Sequence, residues 1–411
     1  MNSEMLKETK NTHITPAFIL GRGVNALGII RSLGRKGIPV YLFSSEKQCI
    51  AKHSRYVKSV TFSAPTTDQT IISDLFSVAD SCNEKPVLYY ASDDHLEFVS
   101  KYREMLLERF IFPIASRESV EYVSKKEKFG EFCSENSIQA PGNFTLRNDT
   151  EVENLMNQAL YPLVIKPSRS IDWQNEGFSS EHGLIKVLKA ENPEQLLSAW
   201  NLLKGTDVTL MAQEFIPGHD SGHYSYYSYR NSTDGEIAHL CVRKARVLPI
   251  HGGAGTLFEA VHNERIQSIA RDLLEKLDYT GIASVCFKWN SLTDRPMVHE
   301  VNGRMPQGHS AFQICGIDLP YIMYLDTLGK KIDIPPPKLG RKLFILLMDL
   351  DALIQYRRAK ELSFRGWLRS FGSKSYCAEF AWDDWSPFFY SLEVLLRRFS
   401  NRIGKIMTSR E

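Results

Sequence analysis

The chain lacks the cysteine pairing that a disulfide framework would need. Its seven cysteines (Cys49, Cys82, Cys133, Cys241, Cys286, Cys315 and Cys377) are scattered without a repeated spacing. That is the pattern of reduced thiols, and it places the chain in the cytoplasm as an expectation. No apolar run approaches the roughly 18–20 residues of a membrane span. Residues 1–16 are polar with no apolar h-region, so no secretory signal is expected and this stretch reads as a disordered tail. Charge of one sign is also scarce. A net charge of +2 gives no electrostatic reason to expect a nucleic-acid partner. No internal repeat or low-complexity tract is present.

What is there is an ordinary globular composition spread over 411 residues, too many for one typical core. Ala17-Phe18-Ile19-Leu20 is a short buried strand running into the turn Gly21-Arg22-Gly23. A helix through Lys36 and a second strand, Ile38 to Phe43, complete a βαβ unit. Its third glycine is Gly28, and no acidic residue ends the second strand. A dinucleotide site is one reading of this turn. The other is a tight turn that lets the helix approach the sheet. Pro86 to Ala91 is another strand, and it ends in Ser92-Asp93-Asp94. Asp93 and Asp94 either face a ligand beyond the strand end or cap the next helix.

The pattern changes near residue 116. A helix over 119–136 carries Lys125, Lys126 and Lys128. The apolar strand Leu163-Val164-Ile165 ends in Lys166-Pro167-Ser168, and a polar, glycine-containing stretch extends from there to Gly183. A lysine at the end of a buried strand needs an anionic partner. Thr209 to Ile216 is a strand that breaks at Pro217-Gly218. Alternating runs at 223–229, 237–249 and 282–289 predict an antiparallel sheet that closes with Met297 to Val301. The segment Pro335-Pro336-Pro337 reads as a linker, and residues 342–411 read as mostly helical. From Pro387 the spacing of Phe388, Leu392, Leu395, Phe399, Ile403 and Ile406 is helical, set against Arg397, Arg398, Arg402 and Lys405. Such a helix either docks on the body or rests on an anionic membrane surface, and docking is the expectation.

The run His299-Glu300-Val301-Asn302-Gly303-Arg304 carries the most chemistry. Glu300 and Asn302 are two apart on a predicted strand, so they point the same way. A hard cation such as Mg²⁺ takes oxygen ligands from few protein groups and from phosphates. An arginine two residues on can hold a transferring phosphoryl group.

Four elements therefore stand in one order: a helix lysine, a strand lysine before a polar loop, the Gln213-Glu214-Phe215-Ile216-Pro217-Gly218 hinge, and the Glu-x-Asn-x-Arg strand end. Over about residues 17–330 this resembles the ATP-grasp superfamily, in particular its carboxylate–amine ligases. The resemblance implies an α/β (α+β) architecture. A Rossmann-like pre-ATP-grasp domain (17–115) would precede a two-lobed ATP-grasp domain (116–334) and a helical C-terminal extension (335–411). It implies ATP and Mg²⁺ as cofactors, with Mn²⁺ as a possible substitute. It implies small-molecule carboxylate and amine substrates, and it leaves room for a homodimer.

By the same resemblance, Lys126, Lys166 and Ser168 would meet the phosphates. The hydroxyls and backbone of Ser168, Ser170 and Gly177 would cover them. Glu214 and Ile216 would meet the adenine edge through their backbones, Gln213 the exocyclic amine, and Asp220 the ribose. Lys244 and Arg246 would alternate onto one face, towards the γ-phosphate and the substrate carboxylate. Glu300 and Asn302 would hold Mg²⁺, and Arg304 the moving phosphoryl group. The chain departs from the pattern at Cys286 and Asn290, where family members carry acids. Asp294 or a water would then be the substitute. The implied reaction is ATP-dependent amide formation through an acyl phosphate, releasing ADP and phosphate. The alternative is an ATP-binding regulatory or assembly protein of the same fold with impaired turnover. Asp93, Asp94, Gln307 and His309 are guesses for substrate contacts.

Overall fold

The structure is a computed structural model. It describes residues 14–45, 49–168, 188–205 and 209–408, with side chains to Arg398. The expected apolar strand is β1 (Ala17–Leu20), flanked by β2 (Val40–Phe43), β3 (Val57–Val60) and β4 (Val87–Tyr90). They form a parallel sheet in the order β3-β2-β1-β4. Every β1 side chain is buried, which is why it reads as an unbroken apolar run. The glycine turn serves packing. At Gly23 φ is +71°, and a Cβ on Gly28 would lie 2.5 Å from Ser310 Oγ and 2.6 Å from His309 Nε2.

A second, antiparallel sheet of β5 (Asn143–Leu146), β6 (Leu163–Pro167), β7 (Leu188–Ala190) and β8 (Leu210–Glu214) runs in the order β5-β8-β6-β7. Helices Asp149–Gln158 and Pro193–Leu203 cover it, each started by an asparagine side chain that accepts a backbone N–H, Asn148 from Glu151 and Asn192 from Gln195. This lobe has its own apolar core, built on Leu146, Leu155, Leu163, Leu196, Trp200 and Leu210.

The third sheet holds β9 (His223–Asn231), β10 (Gly235–Leu248), β11 (Ala254–Val261), β12 (Gly281–Asn290), β13 (Arg295–Asn302), β14 (Lys342–Phe344) and β15 (Ser375–Cys377). Its order is β13-β12-β9-β10-β11-β14-β15. Two apolar cores join it to the first sheet. One runs from Ile19 and Tyr89 to Tyr227 and Val242, the other from Phe18 and Leu88 to Tyr226 and Val285.

The C-terminal segment is more than a helical extension. It lays β14 against β11, pairs β15 parallel to β14, and adds helices Leu346–Arg358, Phe364–Ser370 and Ser386–Thr408. Buried charges lock it to the helix Gly23–Gly34 and to the loop before β3. Arg31 donates to Asp384 Oδ2 at 2.9 Å and to the carbonyls of Ala378, Glu379 and Asp384. Asp384 also accepts from Ser54 Oγ at 2.8 Å and from the Arg55 backbone at 2.9 Å. Removing one member strands the other's charge in the interior. Asp384→Ala is expected to cost about 3–5 kcal/mol, read as a lower urea midpoint with an unchanged slope.

Candidate active site

The end of β13 meets the end of β6 and the middle of β10 and β12 in one cleft. Glu300 sits at its centre. Burial alone would raise the Glu300 carboxyl. The charges of Lys126, Lys166 and Lys244 outweigh it and hold the group at about 2. These three lysines come from three separate elements: the helix Lys126–Glu135, β6 and β10. Lys126 donates to the Ser168 carbonyl at 3.1 Å, bridging to the small lobe. Lys166 donates to Gln213 Oε1 at 2.7 Å. Burial first, then the charge of Lys126, lowers the Lys166 ammonium to about 7, while Glu300 pulls the other way.

Asn302 lies beside Glu300, its Nδ2 3.3 Å from Glu300 Oε2, and its Oδ1 accepts from Arg304 Nη2 at 3.0 Å. Arg304 is aimed by Asp93, which takes its Nε at 3.0 Å and its Nη2 at 3.3 Å. Asp93 therefore orients Arg304 from the first turn of the helix Asp93–Lys101. Cys286 is buried opposite Glu300, with Lys244 Nζ 3.7 Å and Asn302 Nδ2 3.6 Å from its sulfur. The structure brings Lys126, Lys166, Lys244, Glu300, Asn302 and Arg304 into one neighbourhood.

Other residues serve elsewhere. Arg246 is corrected. A bulge separates it from Lys244, and its buried guanidinium is paired with Asp349 through two bonds of 2.8 and 2.7 Å. Asp349 also accepts from Thr256 and Trp367, so this cation is committed to the fold. Asp220 is corrected too. It is buried beneath the cleft, where its Oδ2 accepts from Tyr356 at 2.6 Å and from the His251 backbone at 2.8 Å. The Gln213 side chain is held between Lys166 and Asn143 Oδ1, the latter at 2.7 Å. Glu214 exchanges backbone and carboxylate bonds with Gly142, and Ile216 is buried beside it. Ser168 is buried, while Ser170 and Gly177 lie outside the described residues.

His309 is buried against Gly28, and Gln307 donates to Met348 Sδ at 2.9 Å, which removes both from the substrate guesses. Asn290 caps the turn between β12 and β13, and Asp294 accepts from Trp289 on that same turn. Four residues of strand, about 13 Å, separate this turn from Cys286, so Asp294 does not replace the missing acid.

Sequence reasoning missed His299. Cys286 pairs with Glu300 and Phe287 with Val298, so His299 is the extra residue of a β-bulge. Its Nε2 is buried with no partner among the described residues. Burial, aided by Lys244, Lys166 and Lys288 against the pull of Glu300, keeps it neutral with a pKa of about 3. Strict alternation conceals such a residue. Lys288 and His223, whose nitrogens are 3.0 Å apart, line the cleft with it. Together with Val164, Lys166, the 213–216 strand end and Gly252, they line a cleft that opens to solvent.

The donor set suits one hard divalent ion. A carboxylate and an amide oxygen are available at Glu300 and Asn302, and phosphate oxygens would complete the shell. Among the described residues no three His, Cys, Asp or Glu groups converge to hold a metal on their own.

An antiparallel lobe and a larger antiparallel-rich sheet, packed with a parallel N-terminal sheet, make up the ATP-grasp fold. In sequence the chain is similar to a D-aspartate ligase from Enterococcus faecium (strain Aus0004), 24% identical over 340 residues, which is 80% of each chain. Among solved structures, an L-amino acid ligase from Bacillus licheniformis matches with a TM-score of 0.58 at 14% identity, covering 77% of this chain and 74% of its own. N5-carboxyaminoimidazole synthetase from Staphylococcus aureus complexed with ADP gives 0.60 at 12%, over 80% of each chain. No protein-family model matches the chain.

Lys166 makes the cleft pH-sensitive. Its folded pKa, about 7, lies below the ordinary 10.5, so the unfolded chain binds more protons between those values. The destabilisation from this group is therefore fully present below about 7 and fades as pH rises towards 10.5. A bound polyphosphate favours the protonated lysine, so nucleotide affinity should fall as pH rises above about 7. Titration calorimetry on either side of that pH checks this. Lys166→Met should flatten the dependence and weaken binding by about 1.5–3 kcal/mol.

Proposed function

We propose that this protein is an ATP-dependent carboxylate–amine ligase that works through an acyl phosphate. The observation that carries the reading is the crowd of Lys126, Lys166 and Lys244 around a single carboxylate, Glu300. Lys166 and Lys244 have no carboxylate of their own among the described residues, and a triphosphate would meet both. The 214–216 strand end would offer its backbone to adenine, and Lys126 and Lys166 would hold the β- and γ-phosphates. Arg304, aimed by Asp93, and Lys244 would face the carboxylate being activated.

A substrate carboxylate oxygen attacks the γ-phosphorus, and ADP departs. The amine then attacks the acyl carbon, the C–O bond to phosphate breaks, and the amine proton passes to solvent. The protein contributes position and fixed positive charge, and no side chain acts as a covalent nucleophile. A Mg²⁺ held by Glu300, Asn302 and phosphate oxygens would supply further charge neutralisation. The likeness to a D-aspartate ligase makes amino acids, D-aspartate included, the first carboxylates to try.

The test is ADP release over a panel of amino-acid and peptide carboxylates and amines. A ligase shows ADP release that depends on both substrates, and Glu300→Ala lowers it at least about a hundredfold. Nucleotide binding without turnover across the panel would support the regulatory or assembly reading. Binding of a dinucleotide in place of ATP would overturn both.

A further inference from the structure

Asp220, the acid that the sequence offers to a ribose, is spent beneath the cleft. Its Oδ2 accepts from Tyr356 and from the His251 backbone, and its Oδ1 stands 3.7 Å from Lys288 Nζ. Lys288 is itself buried, and its ammonium lies 3.0 Å from His223 Nε2. A lysine ammonium has hydrogens to give and no lone pair to receive one. It therefore donates, His223 Nε2 accepts, and the imidazole carries its own hydrogen on Nδ1. That Nδ1–H has no partner among the described residues. The carboxylate thus acts at second hand. It holds a lysine, and the lysine fixes which nitrogen of His223 is the donor.

His299 stands beside His223. The two rings meet edge to face, with centroids 5.9 Å apart and planes at 84°. His299 Nε2 is buried and has no partner among the described residues. A buried polar atom left unpaired costs free energy, so a ligand that meets it gains affinity. Both rings line the cleft together with Lys166 and the 213–216 strand end. If the strand end takes the base and Lys166 a phosphate, the sugar that joins base to phosphates passes between them. A sugar hydroxyl suits both rings. It can accept from the His223 Nδ1–H, and it can meet His299 Nε2 in either tautomer, because it both gives and accepts a hydrogen bond. A phosphate oxygen without a proton can only accept.

Resting on the nucleotide reading above, we infer that His223 and His299 bind the hydroxyls of the nucleotide sugar, in the place that Asp220 does not fill. Titration calorimetry of the full chain with ATP, 2′-deoxy-ATP and 3′-deoxy-ATP tests this. The native protein should bind ATP at least about tenfold more tightly than one or both deoxy nucleotides, since a site built for a hydroxyl rejects the analogue that lacks it. His223→Phe and His299→Leu should each shrink that preference, and the double variant should bring the nucleotides within about twofold of each other. His223→Asn and His299→Gln set an amide nitrogen where Nδ1 and Nε2 stand. They should keep the preference, which separates a lost hydrogen bond from a damaged fold. Equal binding of all three nucleotides by the native protein would overturn the inference and leave the ligase reading standing, because water would then meet both rings. A preference that survives the double variant would overturn it as well. Failure of the native protein to bind ATP at all would instead remove the nucleotide reading, and this inference with it.

Discussion

Repulsion among the lysines around Glu300 is the constraint on which the cleft depends. Two like charges a few ångströms apart near a protein surface repel by a few kcal/mol. Lys126, Lys166 and Lys244 all act on Glu300, and burial first, then the charge of Lys126, lowers the Lys166 ammonium. Such a site stores unsatisfied affinity for a polyanion. It also sits where the molecule is least tied together. The small lobe has its own core, while the other two sheets share theirs. Lys126 belongs to the body through neighbours such as Phe129 and Phe132, yet its ammonium reaches carbonyls at the end of β6. A ligand that satisfies the lysines therefore also ties the lobes.

The C-terminal segment does for the body what a ligand would do for the cleft. Its acids go to cations that the fold would otherwise leave buried and unpaired. Asp384 answers Arg31, and Asp349 answers Arg246. Buried pairs of this kind add less to stability than to register, because any slip would strand a charge. Tyr356 of the same segment holds Asp220 under the cleft. The floor of the candidate active site is thus set by residues from beyond the stretch whose motifs suggest it.

Legibility in the sequence tracked the range of the interactions. The buried strand β1, the strand-end lysine Lys166 and the alternation of Glu300, Asn302 and Arg304 are local patterns, and each was readable. His299 was not, because a bulge breaks the two-residue period that the reading assumes. The same failure separated Lys244 from Arg246. Partners such as Asp349 for Arg246 and Tyr356 for Asp220 lie 103 and 136 residues away, and no periodicity links them. β14 and β15 are three residues each, too short to show a strand pattern, so their segment read as helix alone. The amphipathic spacing of Phe388, Leu392 and Leu395 was readable and falls on half-buried positions, whereas the exposed Trp385, Phe389 and Leu396 lie on a face that this spacing did not mark.

Cys286 looks at first like a defect in the phosphoryl end of the site. Its surroundings argue otherwise. The thiol is buried and touched by the Lys244 ammonium, the Asn302 amide and the Ser225 hydroxyl, so its place in the cluster is filled by packing rather than left open. A carboxylate there would have added negative charge beside Glu300 and called for a second hard cation. A thiol adds none, and as a soft ligand it would not attract Mg²⁺. The Lys244 side chain already reaches that position, its Nζ 3.7 Å from the sulfur. Glu300 and the Asn302 amide oxygen, with Lys244 beside the thiol, suit one divalent ion better than two ions side by side.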